Sequence, residues 1–185
     1  HGTYVGHPLI ERLDEIRNAD AAGLRARLGL APDRQVLAVL PGSRRSEIQY
    51  IAPRLFDAAA ELNSLRPGLR YLLPVVPGLR HLVEPLRKLR AERVKVELLD
   101  GRSHEALAAC DVTLVASGTA TLEAALFKRP MVIGYRMHPL SWQIMKRMGY
   151  QPWVGLPNIL CREFVVPELL QGDCRPETLA AAVRA

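Results

Sequence analysis

The feature that most constrains this chain is a repeated alternation of short apolar runs with segments of helical spacing. Gln35–Leu40 (QVLAVL), Tyr71–Val76, Val94–Leu99, Val112–Ala116 and Met131–Tyr135 read as strands buried on both faces. Short apolar strands alternating with helices argue for a parallel sheet covered on both faces. Helices are predicted from Asp20, as N-cap, to about Leu28, from Ser46 towards Leu65, from Leu79 to Ala91, over Ser103–Ala109 and from Gly118 to Lys128. A kink is expected at Pro85, whose ring removes a backbone donor. Strands that are apolar on both faces need helices on both faces. Right-handed crossovers then predict an α/β fold, a Rossmann-like doubly wound parallel sheet. Residues 1–19 read as a connector and first helix, and 20–185 as the domain itself. After Tyr135 the rhythm loosens into a helix from Leu140 to Met148, a stretch with Pro152 and Pro157, and two closing helices. In one of these Pro167 is the starter and Glu168 sits in the first turn.

The formal net charge is +6 over 185 residues, and the isoelectric point is near 9.6. Such a surface attracts anions. Aromatic residues are only 5% and the arginines are scattered, which argues against nucleic acid and for phosphorylated small molecules or a lipid surface. Cys110, Cys161 and Cys174 form no CxxC pair and read as reduced thiols. The five histidines show no metal-binding spacing, so neither a metal nor a cofactor is assigned. No run of eighteen apolar residues is present. The chain opens on His1 and its first methionine is Met131, which reads as part of a longer protein.

In sheets of this kind ligands sit beyond the carboxyl ends of the strands. Two segments there suit a phosphate. In LPGSRRSEI (Leu40–Ile48), Gly42 permits a tight turn, and Ser43, Arg44 and Arg45 follow it at a helix start. Backbone amides, helix dipole and guanidinium all favour an anion there. The bland alternative is an ordinary turn with solvated arginines. In ASGTATLE (Ala116–Glu123), Ser117 is a natural N-cap and Gly118 leaves room for a ligand. Thr119 and Glu123 share one helix face, where Glu123 can accept ribose hydroxyls or simply favour the dipole. Leu122 and Leu126 would face the sheet. In GYRMHPLSWQIMKRMGYQPW, the spacing of Leu140, Ile144 and Met148 makes an apolar stripe beside Lys146 and Arg147. Trp142, Met145, Lys146, Arg147, Met148 and Trp153 are candidates for contact with an anionic bilayer, and packing against another domain explains the stripe equally. Asn158 and Gln171 carry amides suited to sugar hydroxyls or phosphate.

YVGHPL, LPGSRRSEI, LLDGRSHEAL, SGTATLE, PMVIGYR, LPNIL and PELLQ occur in this order between Tyr4 and Gln171. Together they resemble the carboxyl-terminal half of the lipid-A-disaccharide synthase family. The resemblance implies half of a GT-B fold, in which this domain binds a UDP-sugar and an amino-terminal domain, absent here, supplies the acceptor site and the general base. It implies inverting transfer of 2,3-diacylglucosamine from its UDP donor to 2,3-diacylglucosamine 1-phosphate, by a cytoplasmic enzyme peripheral to the inner membrane. Ser43 and Arg44 would contact the phosphates, and Arg44 would stabilise the leaving group. Ser117, Gly118 and Thr119 would hold the diphosphate, Glu123 the ribose, and Asn158 and Gln171 the donor side of the cleft. Two alternatives remain at this point: an enzyme resembling UDP-N-acetylglucosamine 2-epimerase, and a nonenzymatic nucleotide-binding module.

Overall fold

A computed structural model describes residue 9 and residues 13–148 and 152–185; the expected connector at Thr3–Pro8 and the side chains of Arg17, Met145, Lys146 and Met148 lie outside the described residues. In chain order the elements are α1 (Leu13–Arg17), α2 (Ala21–Arg27), β1 (Val36–Leu40), α3 (Arg45–Tyr50), α4 (Ala52–Leu65), β2 (Arg70–Val75), α5 (Arg80–Arg90) and β3 (Val96–Asp100). They continue with α6 (Ser103–Ala109), β4 (Val112–Ala116), α7 (Ala120–Leu126), β5 (Met131–Tyr135), α8 (Pro139–Met148), α9 (Leu156–Cys161), β6 (Glu168–Leu170) and α10 (Pro176–Arg184).

The six strands form one sheet in the order β3-β2-β1-β4-β5-β6, and every pairing is parallel. This is the doubly wound arrangement that the alternation predicts. All five residues of β1 are buried. Leu37 and Val39 point into one core with Phe56, Leu62, Tyr71 and Leu73; Val36, Ala38 and Leu40 point into the other with Leu72, Leu107 and Val115. Helices α4 and α10 pack together over the first face, and α2 packs on α6 over the second. Each large aliphatic side chain withdrawn from water here contributes about 1.5–3 kcal/mol. Asp111 ties the opposite, amino-terminal end of β1 and β4: its carboxylate accepts the Val36 amide at 2.8 Å and pairs with Arg25 of α2 at 3.2 Å.

The structure departs from the sequence reading in four places. The single helix expected from Ser46 is two, divided at Ile51. Pro53 explains the break, because inside a continuous helix its ring would clash with the Gln49 carbonyl. Helix α5 spans Pro85 as expected, whereas β3 is not covered on both faces: Glu97 and Asp100 are exposed on this edge strand. The buried face of α7 is Thr121 and Ala124, not Leu122 and Leu126, which are only partly covered. Lastly, Glu168 does not begin a helix: Glu168–Leu170 is a sixth strand beside β5. The Pro167 carbonyl accepts the Ile133 amide at 2.9 Å, and the Gln171 amide donates to the Tyr135 carbonyl at 2.8 Å. Proline is tolerated there because the strand is at the sheet edge.

The Glu168 side chain organises the segment before it. One oxygen accepts the Val154 amide at 2.9 Å, and the other accepts the Gly155 amide at 2.9 Å and the Asn158 side-chain amide at 2.7 Å. Asn158 is fully buried; it also donates to the Val166 carbonyl at 2.9 Å and accepts the Val165 and Val166 amides at 2.8 and 2.9 Å. Glu168→Ala leaves two backbone amides and one side-chain amide without their acceptor. The expected cost is about 2–4 kcal/mol, with Glu168→Gln losing about half as much. Urea unfolding of the two variants checks this, and an unchanged midpoint for Glu168→Ala contradicts it.

Burial pushes the thiols of Cys110 and Cys174 and the phenol of Tyr71 above their ordinary ranges. The folded state therefore holds these protons more tightly than the unfolded chain does. That stability is intact below the ordinary thiol range and declines as pH rises beyond about 8.5. Denaturation midpoints at neutral and alkaline pH should show the decline. A thiol reagent should meet one fast cysteine in the native protein, the exposed Cys161, and all three after unfolding.

Candidate functional site

Strand order reverses between β1 and β4, and a crevice opens at their carboxyl ends. The cleft has a volume of about 520 Å³. Four strand-end loops converge on it, contributing Gly42–Arg44 after β1, Val76 and Pro77 after β2, Gly101 and Ser103 after β3, and Ser117–Thr119 after β4. Val154 and Leu156 close one side. Of the expected donor-binding residues, Ser43, Arg44, Ser117, Gly118, Thr119 and Glu123 are thus brought together.

Gly118 has φ +152, and an added Cβ there would meet nothing within 4 Å, so the backbone is open to the cleft. Ser117 is not the N-cap of α7. Its hydroxyl donates to the Val154 carbonyl at 2.8 Å, which fastens the β4 loop to the segment held by Glu168. Thr119 occupies the cap position without a side-chain cap bond, and the Thr121 hydroxyl donates to the Gly118 carbonyl at 2.7 Å. First-turn amides have no helical acceptor by geometry, and Gly118, Thr119 and Ala120 all line the cleft.

Glu123 also lines it, with one carboxylate oxygen 3.5 Å from His104 Nε2. The His104 ring packs edge-on against Phe127 at 5.5 Å. The carboxylate therefore has a neighbour that becomes a cation when protonated, beyond any effect on the helix dipole. His104 lies within the LLDGRSHEAL run, but nothing local marks it, since its partner is nineteen residues on in another helix, α7.

Around Arg44 the arrangement differs from the one expected. The Glu47 carboxylate accepts the amides of Ser43 and Arg44 at 2.7 and 3.1 Å, where a phosphate was expected. Its second oxygen lies 3.3 Å from Arg44 Nη1. The Arg44 side chain is 79% exposed, so the guanidinium itself is open to a ligand. Burial and, after it, the Glu47 charge push the Tyr135 phenol upward, with Arg44 opposing. Glu47 was missed in the sequence; its place three positions after the helix cap at Arg44 is the signal that could have found it.

Asn158 does not reach the cleft. Both amide protons and both carbonyl lone pairs are engaged within the fold, so it has no capacity for a sugar hydroxyl. Gln171 ends β6 at the sheet edge with φ +47 and does not line the cleft. Among the bilayer candidates, Arg147 is exposed and Trp142 half-buried, while Trp153 is half-buried edge-on to Phe164 at 6.1 Å. Leu140 and Ile144, one turn apart on α8, are 65% and 55% exposed, so their stripe is not part of this domain's core.

A family model described as lipid-A-disaccharide synthetase matches residues 1–184. The chain is 57% identical over 182 residues to lipid-A-disaccharide synthase of Verminephrobacter eiseniae, covering 98% of this chain and 46% of that protein. Against the enzyme of the same name from Albidiferax ferrireducens it is 55% identical over 181 residues, with the same coverage of 98% and 46%. The chain thus spans about half the length of the curated relatives it matches. Among solved structures, UDP-GlcNAc 2-epimerase from Neisseria meningitidis bound to UDP-GlcNAc superimposes with a TM-score of 0.62 at 13% identity, over 94% of this chain and 42% of that one. WaaG, a glycosyltransferase involved in lipopolysaccharide biosynthesis, gives 0.58 at 21% identity, over 96% and 44%. At these identities the two structures speak to the fold alone, whereas the sequence match reaches almost end to end: the chain belongs to the lipid-A-disaccharide synthetase family.

Proposed function

We propose that this chain is the donor-binding half of an inverting GT-B glycosyltransferase of lipid A biosynthesis. The reaction is transfer of 2,3-diacylglucosamine from its UDP donor to 2,3-diacylglucosamine 1-phosphate, with release of UDP. The observation that carries the reading is the convergence of the two phosphate-suited loops, after β1 and after β4, on one cleft at the sheet's reversal point. Family membership and relatives named lipid-A-disaccharide synthase support the substrate class. The fold likeness to an epimerase bound to UDP-GlcNAc supports a UDP-sugar in the cleft. Epimerase chemistry is the weaker alternative, because that likeness is at 13% identity against 57% for the transferase.

Cleaving the anomeric C–O bond gives the sugar oxocarbenium character and leaves negative charge on UDP. Arg44 and the amides around Gly118 and Thr119 stabilise that charge from fixed positions, which costs no reorganisation in the transition state. Glu123 accepts hydrogen bonds from the ribose hydroxyls. A base on the facing domain takes the acceptor hydroxyl proton, and closure of the two halves excludes water. On this basis the chain alone binds UDP, seen by calorimetry, but forms no disaccharide; efficient transfer by the purified chain would sink the division of labour.

Glu123→Ala should weaken UDP by about 2–3 kcal/mol, the loss of two hydrogen bonds to a carboxylate. The fold should survive, because the buried residues of α7 are Thr121 and Ala124. UDP affinity equal to that of the unaltered chain, in a folded variant, returns Glu123 to a purely local role.

Acylated substrates would be met at a bilayer, and α8 is one surface among the described residues suited to such contact. It presents Leu140 and Ile144 to solvent with Arg147 exposed beside them. The contact proposed is peripheral; no helix among the described residues is long and apolar enough to cross a membrane. Each basic residue at an anionic surface contributes about 1 kcal/mol, and salt screens it. Sedimentation with anionic vesicles should fall with added salt and with Leu140→Ser/Ile144→Ser, while UDP binding is unaffected. Full vesicle binding by the double variant assigns the membrane contact elsewhere.

A further inference from the structure

We propose that Glu47 is a positioning residue for the donor's phosphates: it holds the Ser43–Arg44 turn and the Arg44 guanidinium from beneath the loop. The inference rests on the reading of the cleft as a UDP site and identifies how one wall of that site is built. Glu47 and Arg44 have opposite exposures, 15% for the carboxylate side chain against 79% for the arginine. The negative charge lies inside and the positive charge outside, with one contact of 3.3 Å joining them. A single carboxylate oxygen takes both turn amides, at 2.7 and 3.1 Å, so those amides are not what the loop offers a phosphate. What remains is the guanidinium: one of its five N–H donors reaches Glu47, and the others are available for a bidentate contact.

Gly42 supports this assignment independently. Its φ is +103, and a Cβ there would lie 2.3 Å from Glu47 Oε2 and 2.7 Å from Glu47 Cβ. The loop therefore admits the carboxylate beneath it only with glycine at this position. The glycine and the glutamate of LPGSRRSE form one device, and Arg44 is the group it aims. Because Glu47 acts through Arg44, its removal should disturb binding of phosphate and spare binding of the nucleoside.

The test compares UDP, by calorimetry, with uridine, by ligand-observed NMR, on the full chain and its variants. Glu47→Ala should weaken UDP about tenfold, the loss expected when one charge-assisted contact is misplaced, with uridine unchanged. Glu47→Gln, which keeps an oxygen for the amides but loses the charge facing Arg44, should fall between. Arg44→Ala/Glu47→Ala should bind UDP no more weakly than Arg44→Ala alone. Equal weakening of UDP and uridine would assign Glu47 a general structural role and overturn the proposal. Unchanged or tighter UDP binding would overturn it in the other direction, as a carboxylate that merely competes with phosphate. If Glu47→Ala does not fold, Glu47→Gln carries the same UDP-to-uridine comparison. A parent chain that binds uridine but not UDP, or neither, overturns the reading of the cleft itself, an outcome distinct from any behaviour of the variants.

Discussion

Strand β1 is buried along its whole length, with one set of side chains in each core, and the position of the cleft follows from that. A strand covered on both faces must have neighbours on both edges, and here these are β2 on one side and β4 on the other. Connections from β1 to β2 and from β4 to β5 then run to opposite sides, and the loops at the carboxyl ends of β1 and β4 part from each other. The gap between them is the cleft. Asp111 closes the other end of the same strand pair by bonding the first amide of β1, so the two strands are held at one end and open at the other.

Polar groups fix the details that apolar burial leaves free. Glu168 and Asn158 account for four backbone amides between them, at Val154, Gly155, Val165 and Val166, so this irregular segment is satisfied without belonging to a helix or sheet ladder. Through the Ser117 hydroxyl, the same segment holds the loop after β4. Glu47 does the corresponding work for the loop after β1. Both loops that face the cleft are thus secured by a carboxylate, directly after β1 and through Val154 after β4, and the Arg44 guanidinium stays exposed.

The sheet was legible because it depends on short-range pattern. Strands β1, β2, β4 and β5 are mostly apolar and buried, the edge strand β3 keeps enough apolar residues to be found although Glu97 and Asp100 are exposed, and the helices between them follow from spacing. Strand β6 was not legible, since three residues give too little periodicity and Pro167 imitates a helix start. Only its pairing with β5, more than thirty residues earlier, makes it a strand. The cleft residues after β1 and β4 were legible for a similar reason, since strand ends and glycines mark such loops. Asn158 was misread because an amide suited to a ligand is equally suited to buried backbone, and the choice depends on Val165, Val166 and Glu168 arriving around it. His104 was missed because its neighbour Glu123 comes from a separate helix, α7.

The chain leaves the sheet at the end of β5, and at Val154 Glu168 holds it again. Both ends of this excursion are anchored to the same sheet edge, one by the β5 ladder and one by a side chain of β6. Helix α8 within it keeps Leu140 and Ile144 exposed, outside the core of the sheet. Its length and composition can therefore drift, or be exchanged for those of another sequence, without moving any residue of the cleft. Such a segment is free to vary at its surface while the cleft keeps its shape, much as an interchangeable tool is fitted to a fixed handle.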